Sequence, residues 1–193
     1  MRKRNIIKLS EMSLEELWHL FPIILAEHQD EWAAWFREEK EELEQTLPVG
    51  HVMRISHVGS TAVLGIQAKP IVDILLEITP GWDMKKIEGV LCGNGWTCMS
   101  RDEKRMSFNK GYTEQGFAER VFHLHLRYAG DNDELYFRDY LREHAAAAKE
   151  YERLKLSLQK KFEHDRDGYT DAKTEFVKKH TAKAKRLYGE RYS

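Results

Sequence analysis

From Pro70 the chain reads Ile71-Val72-Asp73-Ile74-Leu75-Leu76-Glu77-Ile78. The apolar members of this run are mostly branched, and their continuity, rather than alternation, marks a strand covered on both faces. Such a strand needs a layer on each side, as in an α/β fold whose sheet is flanked by helices. It also makes Asp73 a problem. A carboxylate among branched aliphatics is costly unless it has a partner, a metal or an open edge. The pattern alone weighs a turn-bracing aspartate equally against a functional one.

Glycine divides the rest of the chain. None precedes Gly50, ten lie from Gly50 to Gly130, and only Gly168 and Gly189 follow. All four prolines fall at or before Pro80. The middle third therefore has the punctuation of a sheet with tight loops, and the last third that of packed helices. Ser13 with Glu16 spells a capping box. Phe21 to Glu27 is a candidate strand, and Asp30 to Thr46 a helix whose Trp32, Trp35, Phe36 and Leu43 share a face. The glutamates from Glu38 to Glu44 read as its solvated side. His51 to Val58 is a further strand, and Asp83 caps a helix that Gly93-Asn94-Gly95 ends. Trp96 to Ser100, Arg105 to Asn109 and Arg120 to Tyr128 are further strand candidates. From Asp131 the spacing is helical, with a last helix starting at Asp167 or Thr170 and running to about Tyr188. The expected organisation is an N-terminal extension over 1–29 and one domain over 30–188, helical over 131–188.

Hydrophobic residues make up 41% of the 193, charged residues 33%, and the net charge is −1. That balance supports a real core and predicts no overall attraction to nucleic acid or anionic membrane. No run approaches the ~20 apolar residues of a membrane helix. The basic start, Met1 to Ile7, lacks the pattern of a signal peptide. Cys92 and Cys98 have no metal-site spacing and read as two buried thiols, which fits a cytoplasmic location.

The chemistry concentrates in two segments. In the first, Ile55-Ser56-His57-Val58-Gly59-Ser60-Thr61 precedes Lys69 and Asp73. A strand ending in Gly-Ser-Thr lets backbone amides and hydroxyls approach a phosphate, and Lys69 adds charge. In the second, Phe122-His123-Leu124-His125 places both imidazoles on one strand face, about 7 Å apart at ~3.4 Å per residue. A satisfied surface pair is the plainer reading. If the three strands share a sheet, His57, Asp73, His123 and His125 line one pocket, an oxygen-and-nitrogen site suited to a divalent cation or to acid–base work. Lys110, with Arg101, Lys104 and Arg105, either grips phosphate or decorates a solvated edge. Arg138 and Asp139, adjacent on a helix, read as a tie to the sheet, one pointing in and one away.

His57, Gly59, Ser60, Thr61, Gly65, Lys69 and Asp73 together resemble the pattern of the GrpB family. His123-Leu124-His125, the stretch Leu135 to Arg142 followed by His144, and the segments from Tyr151 and Tyr169 extend the likeness over roughly 30–184. The resemblance implies a nucleotidyltransferase-like fold. In that superfamily a glycine-serine turn precedes an Asp-apolar-acid strand whose acids hold two metal ions. Here Leu75 stands where the second acid belongs. Glu77 shares its face with Asp73 but lies about 13 Å along at ~3.4 Å per residue. Leu64 also replaces the family's usual proline.

These likenesses imply an enzyme binding a nucleotide or phosphorylated small molecule. Gly59, Ser60, Thr61, Lys69 and Lys110 would hold phosphate, and Asp73, His123 and His125 would hold magnesium, manganese or zinc. His57 would position a phosphate or shuttle a proton. The competing expectation is a non-catalytic ligand-binding or chaperone-like module with a degenerate metal site. GrpB domains fused to dephospho-coenzyme A kinase, where an assisting role has been proposed, add to it. A third is RNA contact through the basic tail from Lys173 to Arg191, although no aromatic-basic stacking motif supports nucleic-acid readout.

Overall fold

The computed structural model describes residues 8–192; the basic stretch Met1 to Ile7 lies outside them. Helix α1 (Leu14–Leu20) opens with the expected capping box between Ser13 and Glu16. Phe21 to Glu27 is not a strand. Pro22 interrupts it, Ile23 bonds to the Glu163 carbonyl, and only Ala26 makes a single bridge, to Ala68. Helix α2 (Glu31–Thr46) buries Trp32 and Leu43. It buries Glu39 as well, so that side is not uniformly solvated: Lys110 Nζ lies 2.7 Å from Glu39 Oε1.

Five strands form one mixed sheet in the order β1-β2-β5-β4-β3. They are β1 (Val52–Val58), β2 (Val72–Ile78), β3 (Thr97–Arg101), β4 (Arg105–Thr113) and β5 (Gly116–Tyr128). Helix α3 (Met84–Gly93), capped by Asp83, lies between β2 and β3. The interior strand β2 pairs antiparallel with β1 and parallel with the central β5. Period-two alternation then sorts the faces. Val72, Ile74, Leu76 and Ile78 meet Phe122, Leu124 and Leu126 and join one core with Trp32, Leu43, Ile87 and Leu91 of α2 and α3. The opposite face carries Asp73, Leu75 and Glu77 beside His123, His125 and Arg127.

Helices α4 (Asp133–Glu143), α5 (Ala145–Lys161) and α6 (Arg166–Tyr188) form the C-terminal helical segment. Leu135 of α4 packs on Val58 and Leu75. The helical spacing breaks at His144, whose backbone leaves the helical region at φ −126°, ψ 82° while its ring stacks on Tyr140. Arg138 does tie helix to sheet, donating to the His57 carbonyl at 3.0 Å. It also reaches Asp139 at 2.8 Å, so the adjacent pair does meet: the long arginine side chain curls back where the helix geometry alone would separate them. Cys92 is exposed on α3 and Cys98 half-buried on edge strand β3, so neither is the buried thiol expected.

Candidate functional site

The loop after β1 brings Gly59 directly beneath Asp73. Gly59 has φ +70°, and a Cβ there would stand 2.1 Å from Asp73 Oδ2. Only glycine lets the strand carboxylate settle against the turn. Across the parallel pair, Asp73 faces His123 in register, and its Oδ1 is 3.2 Å from His123 Nδ1 and 3.8 Å from His125 Nε2.

Burial pushes the Asp73 carboxyl up, but the pull of the two imidazoles outweighs it and holds the group well below the carboxylate range. Burial pulls His123 down, against the opposing pull of Asp73. An ionised Asp73 can only accept, so His123 donates from Nδ1 and leaves Nε2 as an acceptor. Tyr112 completes the chain: its hydroxyl is 2.8 Å from that Nε2 and receives an Arg166 N–H at 2.8 Å.

The cleft beside this chain encloses about 680 Å³ between the sheet, the Gly59–Thr61 turn and α4, α5 and α6. Lys69, Lys155, Lys173 and Arg166 all line it. Among the described residues none of Lys69, Lys173 and Arg166 has a carboxylate partner. Lys69 and Lys173 instead lie over the Tyr169 ring, at 5.6 and 4.2 Å from its centroid. Lys155 donates to the Gln67 carbonyl and lies over Tyr151. Burial, then Lys173 and Arg166, lower Lys69 to about 7. Burial with Lys173 lowers Lys155 to about 7, and burial lowers Lys173 itself to about 8.

Asp73, His123, Gly59, Ser60, Thr61 and Lys69 therefore line one cleft, with His125 beside them on the same sheet face. His57 is placed elsewhere. It pairs with Ile74, so its ring turns to the α2 face, stacks on Phe36 at 4.9 Å and meets Thr61 Oγ1 at 2.9 Å. Thr61 in turn donates to the Ile71 carbonyl, so its hydroxyl is engaged inside the protein. Burial lowers His57 to about 4. Lys110 is remote from the cleft, paired with Glu39 and Glu42. Arg101 and Arg105 are likewise taken by Glu88 and Asp131.

The residues present do not match a two-metal carboxylate site. Leu75 is fully buried under α4, and Glu77 is held by Arg54. Both ring nitrogens of His123 are engaged, and the surrounding cations oppose another. Among the described residues no group of three or more His, Cys, Asp or Glu is arranged to hold a metal ion.

Sequence reasoning missed Tyr112, Lys155, Arg166, Tyr169 and Lys173 as site residues. A signal existed for two pairs. Tyr151…Lys155 and Tyr169…Lys173 both have the i,i+4 spacing that sets a lysine over a ring on one helix face. Tyr112 was lost because the strand was expected to stop at Asn109, whereas β4 continues past a Gly111 bulge to Thr113.

The fold and cleft define a mixed α/β protein in which one acid and two imidazoles on a parallel strand pair face a lysine-lined space roofed by C-terminal helices. Residues 22–183 match the family described as GrpB protein, and the chain belongs to that family. It is 38% identical over 161 residues to the glutamate-rich protein GrpB of Alkalihalophilus pseudofirmus, covering 80% of this chain and 91% of that one. It is 32% identical over 193 residues to the UPF0157 protein YqkA of Bacillus subtilis, covering 96% of this chain; the chain spans 54% of YqkA's length. The crystal structure of conserved protein GrpB from Enterococcus faecalis superposes with a TM-score of 0.72 at 29% identity, covering 86% of this chain and 99% of that one. Among the described residues no helix is long and apolar enough to cross a membrane.

Proposed function

We propose that the cleft binds a nucleotide or other phosphorylated small molecule, with Lys69, Lys155, Lys173 and Arg166 as the anion-binding groups and Asp73–His123 as an acid–base pair at its edge. One observation carries this reading: Lys69, Lys155, Lys173 and Arg166 converge on one space, none of them ion-paired with a carboxylate among the described residues, although Asp73, Asp133, Glu134 and Asp167 also line it. Taking cations out of water without partners is unfavourable, and an anionic ligand supplies the missing charge. The Gly59–Ser60 turn lies in the same cleft and offers backbone amides. The likeness to nucleotidyltransferases suggests phosphoryl or nucleotidyl transfer as the chemistry.

A second reading, a ligand-binding accessory module without turnover, is favoured by Leu75 sealed in the place of a second acid. The test is a thermal-shift and titration series with pyrophosphate and nucleotides, alone and with magnesium, manganese or zinc. Binding to the native state must raise the melting temperature. Stabilisation that is lost in Lys173→Gln supports the cleft; no stabilisation by any phosphorylated compound sinks it. Product formation separates the enzyme from the module.

A further inference from the structure

Tyr169 is 1% exposed, and its hydroxyl is buried without a hydrogen-bond partner among the described residues. A buried hydroxyl without a partner is unfavourable. This one belongs to a cleft-lining residue whose ring supports two lysines from separate parts of the chain, Lys69 before β2 and Lys173 on α6. We propose that Tyr169 is a ligand-binding residue whose hydroxyl donates to an oxygen of a phosphoryl group held by Lys69 and Lys173, so that this end of the cleft seats the phosphoryl group and is complete only when occupied. The inference rests on the phosphate-binding reading above and adds the residue that senses the phosphoryl oxygen.

The chemistry of the three groups agrees. Burial, then Tyr151, raises the Tyr169 phenol well above its ordinary range, so it remains a donor. Two ammonium groups and one phenolic O–H offer a surplus of donors, which suits an oxyanion. Asp133, Glu134 and Asp167 also line the cleft, Asp133 paired with Lys185. Lys173 Nζ lies 4.2 Å from the centroid of the Tyr169 ring, and both residues line the cleft.

The experiment is Tyr169→Phe, read by the melting temperature of the free protein and by calorimetric titration with pyrophosphate. The free variant is expected to melt at the wild-type temperature or about 2 °C higher, because an unsatisfied group has been removed. Pyrophosphate affinity is expected to fall about ten-fold. Wild-type pyrophosphate affinity in the variant overturns the proposal. So does a clearly lower melting temperature of the free variant, which gives the hydroxyl a structural partner. Lys173→Gln keeps the two readings apart. Loss of binding in Lys173→Gln but not in Tyr169→Phe removes only the role of Tyr169; indifference of both removes the cleft reading as well. In the double variant the losses are expected to be less than additive, since both groups meet one phosphoryl group.

Discussion

Strand β2 carries two acids on one face, and they live in opposite surroundings. Glu77 is fully buried at one end, with Arg54 Nε at 2.8 Å and the Asn132 amide at 3.0 Å, and Tyr192 packed beyond the arginine. Every charge there has its partner within the protein. At the other end Asp73 is met by imidazoles, while the lysines around it have no carboxylate of their own. A buried acid with a dedicated arginine holds the fold together. Cations without carboxylate partners beside Asp73 are what the proposed anion site rests on.

The contrast can be broken in four ways. The largest effect is expected from Glu77→Ala, which strands Arg54 and the Asn132 amide: a loss of about 3–5 kcal/mol, or about 10 °C in melting temperature. Pyrophosphate affinity per folded molecule should be unchanged, and a joint loss would show that the two ends are not separate.

Lys69→Gln should do the reverse, lowering pyrophosphate affinity about ten-fold by titration while leaving the melting temperature of the free protein level or slightly raised.

Proton linkage gives the third test. Lys69 and Lys155 are lowered from 10.5 to about 7, and Lys173 to about 8. Between pH 7 and 10 the unfolded chain therefore holds more lysine protons than the folded one, and these groups make the free protein more stable as pH rises. A bound anion restores those protons, so affinity should fall, by about ten-fold from pH 7 to 9, with proton uptake visible as a dependence of binding heat on buffer. Binding that is indifferent to pH would separate the lysines from the ligand.

The smallest effect is the most discriminating. Asp73→Asn removes a charge that repels a phosphate, so pyrophosphate alone should bind about three-fold tighter. Weaker binding in this variant would mean that Asp73 holds a cation which the ligand needs.

Much of the sheet was legible because strand periodicity is local. The run from Ile71 to Ile78 announced a doubly covered strand, and His123-Leu124-His125 announced two imidazoles on one face. Asp73 meeting His123 and Gly59 followed from motifs whose members turn out to be neighbours. The side chosen by His57 was not legible. A residue next to a turn joins whichever face the register assigns, and pairing with Ile74 sends it to α2. The basic wall was hidden for another reason. Lys155, Arg166 and Lys173 reach the cleft only because α5 and α6 fold back over the sheet, and helix propensity says nothing of that return. Lys110 looked available in sequence because its partner, Glu39, comes from a helix seventy-one positions earlier.

The contact between Gly59 and Asp73 makes two distant codons into one unit of inheritance. A methyl group at position 59 would take the volume now filled by a carboxylate oxygen, 2.1 Å away. A second change that shortens residue 73 would relieve only part of the crowding, because the Cβ of residue 73 would still lie 2.9 Å away, and it would delete the acid. Partial revertants of Gly59→Ala selected for folding alone should therefore arise at 73, whereas selection that also demands the acid should return only glycine.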